Sequence, residues 1–183
     1  MKAAHLLVAA VVLFTLVPIY ACRDFGAKSP DVADTVRKSL DQQGLKDVTV
    51  TQDRDKGIVT LGGQVASDQQ KTQAESIATS LAGGQVVADQ IAVIPPGTGK
   101  EVSAVNSDLD QAIEKNLDAA LIQNKMHADV SYAVKNGVVT LSGDVNSDAE
   151  RTSAESIATT LPNVHQVVNV IQVDKNRKAS SGL

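Results

Sequence analysis

The segment from Gly57 to Val93 recurs without a gap as Gly137 to Val173, and 19 of the 37 paired positions are identical. Gly57-Ile-Val-Thr-Leu-Gly-Gly returns as Gly137-Val-Val-Thr-Leu-Ser-Gly, and Ala74-Glu-Ser-Ile-Ala-Thr as Ala154-Glu-Ser-Ile-Ala-Thr. A repeat this close divides the chain into two copies of one small domain, each of about 65 residues. Domains that small bury only ~60% of the surface their unfolded chain exposes, so they are marginally stable. Cys22 is the single cysteine, so neither copy is stapled by an internal disulfide. The core must be aliphatic, which agrees with a composition holding no Trp, two Phe and two Tyr.

Within each copy the periodicities change in a fixed order. Val32, Val36 and Leu40 recur at spacings of four and predict a first helix, with Asp31 as its cap and Gly44 at its end. Leu109, Ile113, Leu117 and Leu121 predict its counterpart, capped by Asn106, Ser107 or Asp108. Two short strands follow, Val48–Thr51 and Ile58–Leu61, then Val130–Val134 and Val138–Leu141. Asn136-Gly137 between alternating apolar residues predicts a tight hairpin, because both residues tolerate positive φ. Gly63 and Gly143 predict a bulge or kink in each second strand. Ser67-Asp-Gln-Gln70 and Ser147-Asp-Ala-Glu150 read as capping boxes. The helices they open carry apolar stripes, Ala74, Ile77, Ala78, Leu81 and Ala154, Ile157, Ala158, Leu161. A third strand spans Val86–Ile94 and Val167–Val173, with a crossover that makes it parallel to the second. The expectation is an α+β fold of two tandem α-β-β-α-β domains, each a three-stranded mixed sheet with two helices on one face.

The chain divides accordingly. Residues 1–21 form a signal peptide, 22–30 a tether, 31–95 domain one, 96–107 a linker, 108–174 domain two and 175–183 a basic tail. Lys2 precedes an apolar run from Leu6 to Ile19, short for a membrane span of ~20 residues and matched to a signal-peptide core. Ile19-Tyr20-Ala21-Cys22 resembles a bacterial lipobox, in which the cysteine is acylated with diacylglycerol. Tyr20 stands where that pattern has a small or aliphatic residue, and cleavage after Ala21 by the ordinary signal peptidase fits the same residues. Arg23 beside Cys22 is not the Asp that retains enteric-type lipoproteins at the inner membrane, so the resemblance implies an outer-membrane address.

The Gly-Val-Val-Thr-Leu-Ser-Gly strand, the capped helix ending Ile-Ala-x-x-Leu and the closing Val-x-x-Val-Val-Asn-x-Ile-x-Val together resemble the BON domain family, in both copies. That resemblance implies a non-catalytic envelope protein that binds phospholipid or envelope partners and serves envelope maintenance under stress. The alternative is a soluble periplasmic chaperone-like or protein-interaction scaffold.

Charge separates the copies. Residues 31–96 hold nine acids and six bases, residues 108–174 ten acids and four bases, for net charges of −3 and −6. With no basic stripe and no aromatics to stack on bases, nucleic acid is excluded as a partner. After the leader only His127 and His165 remain, without a second ligand at metal spacing, so no metal and no cofactor are expected. Glu75 and Glu155 read as solvated helix residues, and Gly62-Gly63 and Gly83-Gly84 as strand and helix ends. One asymmetry stands out. Val87, Ile91 and Val93 match Val167, Ile171 and Val173 on the core side of the last strand. On the opposite side Val168 and Val170 replace Ala88 and Gln90, which marks them as a candidate partner or lipid face unless the open sheet simply tolerates valine or domain one packs there.

Overall fold

A computed structural model describes residues 28–174. The signal peptide, Cys22 and the basic tail lie outside the described residues. The first copy runs α1 (Ala33–Gln42), β1 (Val48–Asp53), β2 (Ile58–Val65), α2 (Asp68–Leu81), β3 (Val86–Asp89) and β4 (Ala92–Val93). The second runs α3 (Gly99–Gln123), β5 (Val130–Lys135), β6 (Val138–Val145), α4 (Asp148–Thr159), β7 (Gln166–Asn169) and β8 (Gln172–Val173). In each sheet the second strand is central. β2 pairs antiparallel with β1 and parallel with β3 and β4, and β6 does the same with β5, β7 and β8. The expected mixed sheet with two helices on one face is therefore the observed fold.

Each copy has its own core. Val36 and Leu40 of α1 and Ala74 and Ala78 of α2 close over Val50, Val59, Leu61 and Ile91. Ile113, Leu117, Leu121, Ala154 and Ala158 close in the same way over Val139, Leu141 and Ile171. Alanines on α2 and α4 let those helices approach the sheet closely. Ser67 and Ser147 cap them as expected, accepting from the N–H of Gln70 and Glu150. The reciprocal bond reaches one residue further than the usual box: Gln70 and Glu150 accept from the N–H of Ala66 and Asn146. Asn136 and Gly137 have φ of 48° and 74°, and Lys135 pairs directly with Val138, which makes the predicted two-residue hairpin.

Three expectations are corrected. Asp31 does not cap α1; the Oε1 of Gln52 on the neighbouring strand accepts from the N–H of Val32 and Ala33 instead. The segment read as a linker, 96–107, is mostly helix. After a short turn closed by Thr98 N–H on Pro95 C=O, α3 starts at Gly99, well before Asn106, Ser107 or Asp108. The third strand is two pieces, because the Oδ1 of Asp89 folds back to accept from Ile91 N–H and Asn169 does so with Ile171. That side-chain turn interrupts the ladder for two residues.

Candidate functional site

The open face of each sheet is where the chain departs furthest from two beads on a string. Ile58, Ala88, Val138 and Val168 form a third buried cluster, with Val170 packed against it. Ile58 and Val138 are equivalent positions in the repeat, as are Ala88 and Val168. Each domain thus offers the same patch to the other, the arrangement of an isologous dimer within one chain. Val168 is 1% exposed. The reading of Val168 and Val170 as a free partner or lipid face is corrected: their partner is domain one.

Hydrogen bonds frame this seam and give it a register. The Gln166 amide lies along the outer edge of β3, its Nε2 donating to Val87 C=O at 2.8 Å and its Oε1 accepting from Asp89 N–H at 3.0 Å. It fills the place that a further strand would take. The Nδ2 of Asn136 donates to Gln90 C=O at 2.6 Å, where β3 breaks before β4. Asn136 is itself held by Asp110 of α3, whose two carboxylate oxygens accept from the N–H of Asn136 and Gly137 at 2.8 and 2.9 Å. Asp110 is buried. The helix that follows the interdomain turn therefore positions the hairpin that grips domain one.

Two clefts flank these contacts. One, of about 380 Å³, is lined by Lys71, Ile91, Leu109, Asn136 and His165. The other, of about 490 Å³, is lined by Gln64, Gln90, Ser103, Asn106 and Lys135. Both include Asp110, and both draw walls from the two domains. Removing the Asp110 carboxylate should leave two hairpin N–H groups without acceptors. Asp110→Ala is expected to cost domain two about 2 kcal/mol, read as a lower denaturant midpoint. An unchanged midpoint would contradict this account of the hairpin.

The remaining sequence candidates stand apart from the seam. His127 Nε2 lies 2.8 Å from Asp118 Oδ1, which also accepts from the Tyr132 hydroxyl at 3.1 Å. This group sits on the α3–β5 surface, while His165 sits beside the hairpin turn, so the two histidines do not converge. Among the described residues, no three His, Cys, Asp or Glu side chains are grouped to hold a metal ion. Nor is any helix among them long and apolar enough to cross a membrane. Glu155 accepts from Asn169 Nδ2 at 3.0 Å and so has a structural use.

Asp89, at the position of Asn169, is a buried carboxylate. Burial pushes its pKa up, opposed by Ile91 N–H and Lys71 and reinforced by Glu75. A raised folded-state value means that this carboxyl contributes stability below its ordinary range, and that the contribution is lost as pH rises through the folded value. Asn at this position keeps the bond to Ile91 N–H and turns repulsion by Glu75 into a donated bond, as Asn169 and Glu155 show. Asp89→Asn should therefore stabilise domain one at neutral pH by about 1 kcal/mol. The gain should shrink toward pH 3, and a gain independent of pH would rule out the charge as its cause.

Sequence reasoning missed Asp110, Asn136 as a clamp, and Gln166. Signals for two of them were present. Asp110 sits three residues before Ile113 on the apolar stripe of α3, an acid where periodicity asks for a core residue. Gln166 is polar where the first copy has Val86.

Comparison with known proteins matches the BON domain at residues 29–95 and 108–175. Osmotically-inducible protein Y of Escherichia coli (strain K12) is 31% identical over 132 residues, which is 71% of this chain and 64% of that protein. The chain thus spans a little under two thirds of that relative. Two structures of CdsD, a structural protein of the type III secretion system of Chlamydia trachomatis, cover 77% and 78% of the chain. Their identities are 15% and 16% and their TM-scores 0.33, too distant to inform this protein; the chain spans 66% and 62% of them. With both copies matched, and with the α-β-β-α-β order seen twice in the fold, the chain belongs to the BON domain family and carries two BON domains in tandem.

Proposed function

We propose that this is a non-catalytic protein of the bacterial cell envelope, exported by residues 1–21, acylated at Cys22 and held in the periplasm at the outer membrane. There it binds phospholipid or envelope proteins and maintains the envelope under stress. One observation carries the reading: two BON domains joined face to face into one body, behind a leader that ends Ile19-Tyr20-Ala21-Cys22. A relative named for osmotic induction supports the stress role. Mass spectrometry of the mature N-terminus tests the anchor. Diacylglycerol on Cys22 is the expected result, and a free thiol at that residue removes the lipoprotein reading. Flotation with anionic vesicles at low salt tests direct lipid binding by a leader-free form, and failure to float removes it.

The second reading, a soluble periplasmic scaffold for other proteins, draws on the −6 charge of domain two. An anionic bilayer repels such a surface unless its bases cluster, since each nearby basic residue contributes only about 1 kcal/mol. Crosslinking in cells separates the two readings. Recurrent capture of an envelope protein by the exported protein supports the scaffold, and its absence together with flotation supports the lipid reading.

A further inference from the structure

The N-terminal strap of domain one points to the face that meets the membrane. Lys28–Asp31 does not trail away from the fold. Ser29 and Arg54 exchange hydrogen bonds, Ser29 N–H to Arg54 C=O at 2.9 Å and Arg54 Nε to Ser29 C=O at 2.7 Å. The side-chain amides of Gln52 and Gln85 both donate to Pro30 C=O, at 2.7 and 3.0 Å. The chain is therefore pinned to the β1–β2 hairpin before α1 begins. Five residues lie between Cys22 and Lys28, and the six steps along the chain span about 20 Å at full extension.

We infer that the β1–β2 hairpin end of domain one is the membrane-facing surface, with a phospholipid headgroup layer as its occupant. The inference rests on acylation of Cys22, proposed above. Charge favours the same orientation. Lys28, Arg54 and Lys56 balance Asp31, Asp53 and Asp55 at this end, while domain two carries −6. An anionic surface leaves the balanced end alone and pushes the acidic domain outward. Val86, which donates its N–H to Gly57 C=O beside the hairpin, is 45% exposed and adds an apolar point on this surface.

The acylated protein has no free thiol, because its only cysteine is consumed by the anchor. Single-cysteine variants then report orientation. Ser80→Cys labels the last turn of α2, at the hairpin end, and Ser153→Cys labels the exposed side of α4; both serines are exposed. Each purified lipoprotein is labelled with a donor dye and reconstituted on vesicles of phosphatidylethanolamine and phosphatidylglycerol with acceptor-labelled headgroups. Transfer from position 80 should exceed that from position 153 by about two-fold or more, given a tether of about 20 Å. A flexible Gly-Ser spacer of about 20 residues after Ala27 should abolish the difference by lengthening the reach. Equal or reversed transfer in a protein whose mass shows diacylglycerol overturns this orientation alone. A difference that survives the spacer overturns the tether as its cause, and a free thiol on Cys22 overturns both the anchor and the orientation.

Discussion

Replacing Val168 by Asp should part the two domains while leaving each folded. Val168 lies in a cluster of four side chains drawn equally from both copies, and neither main core includes it. The cluster around Val168 supplies no cation to pair a carboxylate there, which loses its water when the seam closes. Leaving such a charge buried and uncompensated costs about 3 kcal/mol or more. The domains have a cheaper response, which is to separate and hydrate the new group. Calorimetry should then resolve two transitions where the parent protein shows one coupled transition, and small-angle scattering should show a larger radius of gyration. Protease should cut faster near Pro95–Thr98, an exposed turn that the closed seam holds at both ends. Val168→Thr, which keeps the shape and adds one hydroxyl, should weaken the seam by only about 1 kcal/mol. A single unshifted transition for the Asp variant would mean that the seam does not couple the domains.

Gly143→Ala is expected to have the other large effect, and this one should unfold domain two. Gly143 has φ of 117° and lies opposite Val130 in the β5–β6 ladder. A side chain there is strained by the backbone alone, and its Cβ would overlap the Asp129 carbonyl oxygen. Gly63 repeats both conditions against Asp47, with φ of 87°. The backbone strain alone costs about 3 kcal/mol at most, and the overlap adds to it. Set against the few kcal/mol that hold a domain of this size, the loss should leave domain two largely unfolded at 37 °C. Circular dichroism and proton exchange should show domain one retaining its protected amides. A variant with wild-type protection throughout both domains would show that the sheet can move aside at this position.

Much of the fold was legible because the decisive signals are local. Asn136-Gly137, Ser147 with Glu150, and the stripe through Ala154, Ile157 and Ala158 each specify their own few residues, and all were found where expected. The start of α3 was not legible. Pro95-Pro96-Gly97 does break the chain, but Gly99 and Lys100 look loose only in isolation, and the helix gains its support from Val102, Asn106 and Asp110 turned inward. The break in the third strand was hidden in a side chain, since Asp89 and Asn169 satisfy a backbone N–H that a continuous strand would have placed in the ladder. Alternation along β7 placed Val168 on the correct face. It did not reveal what covers that face, because a strand's pattern records burial and not the identity of the neighbour.

The seam shows how the chain was able to diverge. Two separate BON domains meeting through four aliphatic side chains and three hydrogen bonds would dissociate at ordinary cellular concentrations. A short covalent turn makes their encounter intramolecular, at an effective concentration in the millimolar range. Closure then no longer depends on how many copies the cell makes. In a homodimer, any change at the contact would appear twice, once on each side of the axis. Here Gln166 bonds to the edge of β3, while its counterpart Val86 is 45% exposed and lies outside the seam cluster, so the two halves of the contact are no longer equivalent.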